Sequence, residues 1–259
     1  MKHLLFIFLL VSGLTILAPM CPAQAPMPQN PEEQDMKEIP QWLVDFSNLP
    51  KDKREQYLAH FNRAKYAYHQ SQWIECIAQL AECEIILRGN PSIWNLRASC
   101  LLEQKYFKEA EEELLKVLQV EPNDPVTIMN LANVHMACER FEQSLRIVIP
   151  LRENLYLQHA ADELLYVLDF RALLCYLRLG QKEKARAIAT SVSPMADTPL
   201  YYYSKAAIAL SEGKRADAMH YLSVVERIFA NNRACIPYQR ALELSGLLSL
   251  PANATAPTP

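Results

Sequence analysis

Trp94-Asn-Leu-Arg97-Ala98-Ser-Cys-Leu101, followed by Phe107, Ala110, Leu114, Val117 and Pro122, is the stretch that decides the fold, because its positions return along the chain at a step of 34 residues. Trp73, Phe107 and Phe141 form an aromatic column, and Cys76, Ala110 and Ser144 a column of small residues. Leu80, Leu114 and Val148 are apolar in register, as are Cys83, Val117 and Leu151. Ahead of them run Ala64, Ala98, Ala132 and His60, Trp94, Ile128. A repeat of this length cannot bury its apolar face alone and does so against its neighbours, so the spacing predicts a solenoid.

The quoted stretch resembles a tetratricopeptide repeat, whose pattern places Trp, Leu, Gly, Tyr, then Ala, Phe and Pro at these spacings. A third unit matches from Ile128-Met-Asn-Leu131-Ala132 through Phe141, Ser144 and Val148, and a first from His60-Phe-Asn-Arg63-Ala64 through Trp73, Cys76 and Leu80. Arg88 and Tyr156 stand where the closing Pro would be, and Pro91 follows the first unit closely. Two later stretches fit the helix-turn-helix form more loosely: Asp169-Phe-Arg-Ala172-Leu173 with Gly180 and Ala185, and Tyr202-Tyr-Ser-Lys205-Ala206 with Gly213 and Ala218. Between the third and fourth units lies an insertion, Leu155 to Glu163, expected to lengthen the flanking helices. The resemblance implies an all-α, right-handed superhelical solenoid of antiparallel helix pairs. It would span residues 51–249, with about five repeats starting near 57, 91, 125, 166 and 199. A capping helix from Cys235 to Leu248, with Pro237 in its first turn, is expected to cover the last apolar face.

Residues 1–23 have the layout of a secretory signal peptide: Lys2 and His3, an apolar run from Leu4 to Ala18, then small residues up to Ala23. An uncleaved anchor is the rival reading, although the run is short of the ~20 residues a spanning helix needs. Residues 24–50 read as a Pro-rich linker interrupted by the apolar patch Trp42, Leu43, Val44 and Phe46, which either seals the first repeat or docks elsewhere. Residues 250–259 read as a disordered tail. The expected product is exported, periplasmic in a diderm bacterium or otherwise secreted, with no membrane span in its mature form.

Composition narrows the function. The chain has 26 basic and 29 acidic residues, so it has no basic excess to neutralise phosphates, and nucleic acid is not an expected partner. With 5 glycines in all there is no phosphate-cradling loop, and no cofactor is implied. Cys76, Cys83, Cys100, Cys138, Cys175 and Cys235 have neither CxxC nor zinc spacing and read as small buried thiols. Cys83 and Cys100 lie on adjacent antiparallel helices, within conceivable reach of each other, but no disulfide is needed to explain the fold. The histidines never adopt a two-ligand helical spacing, so neither a metal site nor a catalytic set is nominated. The run Glu109, Glu111, Glu112 and Glu113 reads as a solvated helix face.

What remains is the concave face, which the resemblance assigns to the first helix of each repeat. The candidate partner-binding residues there are Phe61, Asn62, Lys65, Asn95, Ser99, Met129, Asn130, Asn133, Met136, Phe170, Arg171 and Tyr203. Asparagine pairs with a peptide backbone of any sequence, while Met and aromatic residues accept varied side chains. The expectation is a non-catalytic scaffold for a protein or peptide partner, serving an envelope assembly or secretion complex. The alternative is an enzyme or enzyme-associated module with a site within 166–230. Asn130 and Arg171 match two positions of the carboxylate clamp of one family subgroup, but Asn95 and Val167 stand where lysines would be, so that function is not carried over.

Overall fold

The computed structural model describes residues 39–193, 195, 198–229 and 233–249. The expected signal peptide, linker residues 24–38 and the expected tail lie outside the described residues. The chain divides into two units, Met1–Ile39 and Pro40–Pro259, and the features below belong to the second.

The fold is all-α. Helix α1 (Gln41–Asn48) precedes five helix pairs: α2 (Lys51–His69) with α3 (Trp73–Ile86), α4 (Pro91–Glu103) with α5 (Phe107–Val120), α6 (Pro125–Ala137) with α7 (Phe141–Leu157), α8 (Asp162–Arg178) with α9 (Lys182–Ser191), and α10 (Pro199–Ser211) with α11 (Arg215–Ile228). Helix α12 (Ile236–Leu244) follows. From α2 to α11 each helix packs on the next along the chain, and α4 also meets α6 and α8 meets α10, as stacking of repeats requires.

The same local chemistry starts and stops successive pairs. Asn90, Asp124 and Thr198 cap α4, α6 and α10 by accepting from the backbone N–H of Ser92, Thr127 and Leu200. Each cap is followed by a proline, which has no N–H to leave unsatisfied. Between the helices of a pair the backbone turns through the left-handed region at Ser71, Lys105 and Glu139, again in steps of 34, with φ of 57°, 65° and 57°. Gly180 and Gly213 do the same in the later pairs. The next N–H in each turn reaches back five residues, as in Gln72 to Ala67 and Tyr106 to Leu101, both 2.9 Å, closing the last helical turn.

The small-residue columns let paired helices approach, and Ala64, Ala98, Ala132, Cys76 and Ala110 are all buried. The insertion between the third and fourth units is absorbed as helix: α7 and α8 run 17 residues each, against 13 and 14 in α4 and α5. Part of the apolar patch at 42–46 joins the first pair. Phe46 packs edge-on against Tyr57, with centroids 5.3 Å apart, and Phe46 and Leu49 cover the α2–α3 core.

The glutamate run is not simply solvated. Glu113 is buried, contacting Arg97 at 3.3 Å and Lys116 at 2.6 Å, while Glu111 pairs with Arg140 across repeats. Beside that pair His135 is buried, and burial, then the Arg140 charge, hold its pKa below the ordinary imidazole value despite Glu111. The folded chain therefore binds this proton less readily than the unfolded chain. Its contribution to stability is complete above the ordinary value of about 6.5 and is lost as pH falls from there towards the depressed pKa. His135→Gln should flatten the fall in melting temperature between pH 7.5 and 5.5; an unchanged slope would assign that fall to other groups.

The C-terminal segment departs from expectation. Rather than simply covering the end of the array, α12 lies back across α8, α10 and α6, the first helices of three pairs. Tyr238 packs against Phe170 and stacks on Tyr203, with centroids 5.3 and 5.4 Å away. Arg240 reaches Glu103 at 3.0 Å. Arg178 donates to the Ser245 carbonyl and lies over Gly246, whose φ of +70° and missing Cβ make room for it. Burial pushes the Glu103 carboxyl above the usual range despite the opposing Arg240 charge.

Candidate binding groove

The first helices present the face on which the sequence placed the candidate residues, and the structure divides those residues into two groups. Phe61, Asn62 and Lys65 on α2, Asn95 and Ser99 on α4, and Met129 and Asn130 on α6 remain half-buried or exposed. Asn133, Met136, Phe170, Arg171 and Tyr203 are buried. The physical reason is α12: Met136, Phe170 and Tyr203 share one apolar cluster with its Tyr238, Ala241 and Leu242. As the chain stands, these positions belong to the core rather than to an accessible surface.

The open half is a cleft of about 390 Å³, lined by Phe61 and Lys65 from α2, Asn95 and Ser99 from α4, and Asp124 and Asn130 at and within α6. Its asparagines are already tied to each other. Asn130 Nδ2 donates to Asn95 Oδ1 at 2.7 Å, and Asn95 Nδ2 donates to Thr127 Oγ1 at 3.0 Å. Thr127 in turn donates its hydroxyl and its backbone N–H to the Asp124 carboxylate. The ladder arises because α4 packs on α6, which brings Asn95 and Asn130, one residue out of the 34-residue register, within hydrogen-bond reach. It orients both amides before any ligand arrives and leaves Asn130 Oδ1 as an unoccupied acceptor among the described residues. At the α2 wall the Lys65 ammonium lies 5.0 Å from the centre of the Phe61 ring, joining an apolar surface to a positive charge.

The covered half is chemically different. The Arg171 guanidinium donates from Nε to Asn133 Oδ1 at 3.0 Å and from Nη1 to the Val167 carbonyl at 3.1 Å, and no carboxylate faces it among the described residues. Burial pulls its pKa down to about 10. The same burial pushes Tyr203 up to about 12 and Tyr238 higher still. These groups, on α8, α10 and α12, converge within the irregular later repeats, and burial disfavours the charged form of each. Among the described residues no cluster of His, Cys, Asp or Glu has the arrangement to hold a metal ion. Nor is any helix among them long and apolar enough to cross a membrane.

Residues 91–124, which comprise α4, α5 and the connection to α6, match the family model described as a tetratricopeptide repeat. That segment carries Asn95, Ser99 and the α6 cap Asp124 of the open cleft. No curated protein matches the chain.

Proposed function

We propose that this chain, with a tetratricopeptide repeat at its centre, is a non-catalytic scaffold that holds a segment of a protein partner in the cleft between α2, α4 and α6. The observation that carries this reading is the pre-oriented Asn95–Asn130 ladder beside Phe61 and Lys65. Paired amides suit a peptide backbone whatever its sequence, because each offers both a donor and an acceptor, and the adjacent ring and ammonium accept an apolar or acidic side chain. The layout of residues 1–23 supports action outside the cytoplasm, in the periplasm or as a secreted protein, with an envelope assembly or secretion complex as the setting.

A photo-crosslinking residue at Asn62 or Ser92, both exposed around the cleft, should capture the same partner in the native host. The same probe at Ile85 on the far helix α3 should not capture it. Asn130→Ala should then weaken that partner's affinity by about 2- to 10-fold, the equivalent of hydrogen bonds worth roughly 0.5–1.5 kcal/mol, with little change in melting. Equal capture from Ile85, or undiminished affinity in the variant, would move the site off the cleft.

A further inference from the structure

Between α10, α11 and α12 lies a pocket of about 560 Å³ that shares no lining residue with the cleft. Its walls are mainly apolar: Leu222, Val225 and Phe229 come from α11, Leu242 from α12 and Leu248 from just beyond it. A volume of roughly 300–1,000 Å³ with such walls and a few polar groups is what encloses a small molecule. Two donors that line the pocket have no partner on the chain. Tyr203 is 5% exposed, its ring fixed against Phe170 and Tyr238, yet its hydroxyl makes no hydrogen bond among the described residues. A hydroxyl so deeply placed is costly until something accepts from it. Arg233, exposed in the short turn Arg233–Cys235 that leads into α12, has no carboxylate within ion-pair distance among the described residues. Of the two acids at the pocket, Glu243 is already engaged by Gln239 at 3.5 Å and Arg240 at 3.7 Å, and Glu226 stands on the α11 wall.

We propose that this pocket binds a free fatty acid, an acyl chain ending in a single carboxylate. The chain lies against the apolar walls, where it has no polar atom to leave unpaired. The carboxylate pairs with Arg233 and accepts from the Tyr203 hydroxyl, so that both unpartnered donors are satisfied by one head. Glu226 repels a doubly charged head, which makes a phosphate monoester the poorer fit. Because one wall belongs to α11 and the other to α12 and Leu248, the bound chain ties α12 to the last helix pair.

The probe is dodecanoate, titrated calorimetrically into the full-length chain below its micelle concentration. Saturable binding is expected, with a rise in melting temperature because the folded chain alone has the pocket. Dodecylammonium, equal in chain length and opposite in charge, and dodecyl phosphate should both bind more weakly. Arg233→Gln should weaken dodecanoate by about tenfold without lowering the melting temperature of the free chain, and Arg233→Lys should keep most of the affinity. Tyr203→Phe retains the ring and should weaken binding by about 2- to 10-fold. Absence of saturable binding, or a dodecylammonium or dodecyl phosphate affinity that equals that of dodecanoate, would overturn the proposal. So would undiminished affinity in Arg233→Gln or in Tyr203→Phe, by placing the carboxylate elsewhere on the chain.

Discussion

Tyr238→Ala should lower stability by about 3–5 kcal/mol, the usual cost of removing a buried aromatic side chain, and the melting temperature by roughly 10 °C. The ring is 3% exposed and packs against Phe170 and Tyr203, which also meet edge-on, so its removal leaves a cavity beside two other aromatic residues. Tyr238→Phe keeps the packing and loses only the phenolic hydroxyl, so it should cost far less, about 1 kcal/mol. The comparison separates packing from hydrogen bonding. Thermal melts of the two variants that fall together with wild type would mean that α12 does not contribute to the core of the folded chain.

Asn133→Ala should cost about 1.5–3 kcal/mol, because it strips the Nε acceptor from a buried guanidinium that keeps only the Val167 carbonyl and faces no carboxylate among the described residues. Replacing both partners with apolar residues, Asn133→Leu with Arg171→Met, should recover most of that loss, since neither variant side chain then needs a hydrogen bond. A double-mutant cycle on denaturant midpoints measures this. An Asn133→Ala chain as stable as wild type would show that Arg171 is served by solvent rather than by Asn133. The two candidate asparagines of α6 thus differ sharply: Asn130 faces the open cleft, whereas Asn133 supports the core.

The alternation of helices was legible in the sequence because each column reports burial against the neighbouring repeat, and that environment recurs every 34 residues. Ala98 and Ala132 are buried for the same reason as Ala64. The placement of α12 was not legible. The spacing of Tyr238, Ala241 and Leu242 announces an amphipathic helix but says nothing about which surface receives its apolar side, and that surface is assembled from α6, α8 and α10 far upstream. The concave-face assignment consequently named residues such as Phe170 and Met136, which lie on the first helices of their pairs, without a signal that another segment would cover them. The mutual bonding of Asn95 and Asn130 was missed for a related reason. Side chains 35 residues apart look independent in sequence, and the stacking of α4 on α6 brings their amides together.

A linear array of repeats behaves like a row of coupled springs: units fray from either end, and a pull on the chain peels them off one after another. The return of α12 changes that mechanics. Arg178 and Ser245, 67 residues apart, are joined by a single hydrogen bond, and Arg240 ties the last helix to Glu103 in the second pair. The brace closes the row on itself, so the later pairs must loosen together with the brace or not at all. Such distant contacts also form only after the units that receive them exist, which makes the arrival of α12 the late step of folding and its departure the early step of unfolding under load.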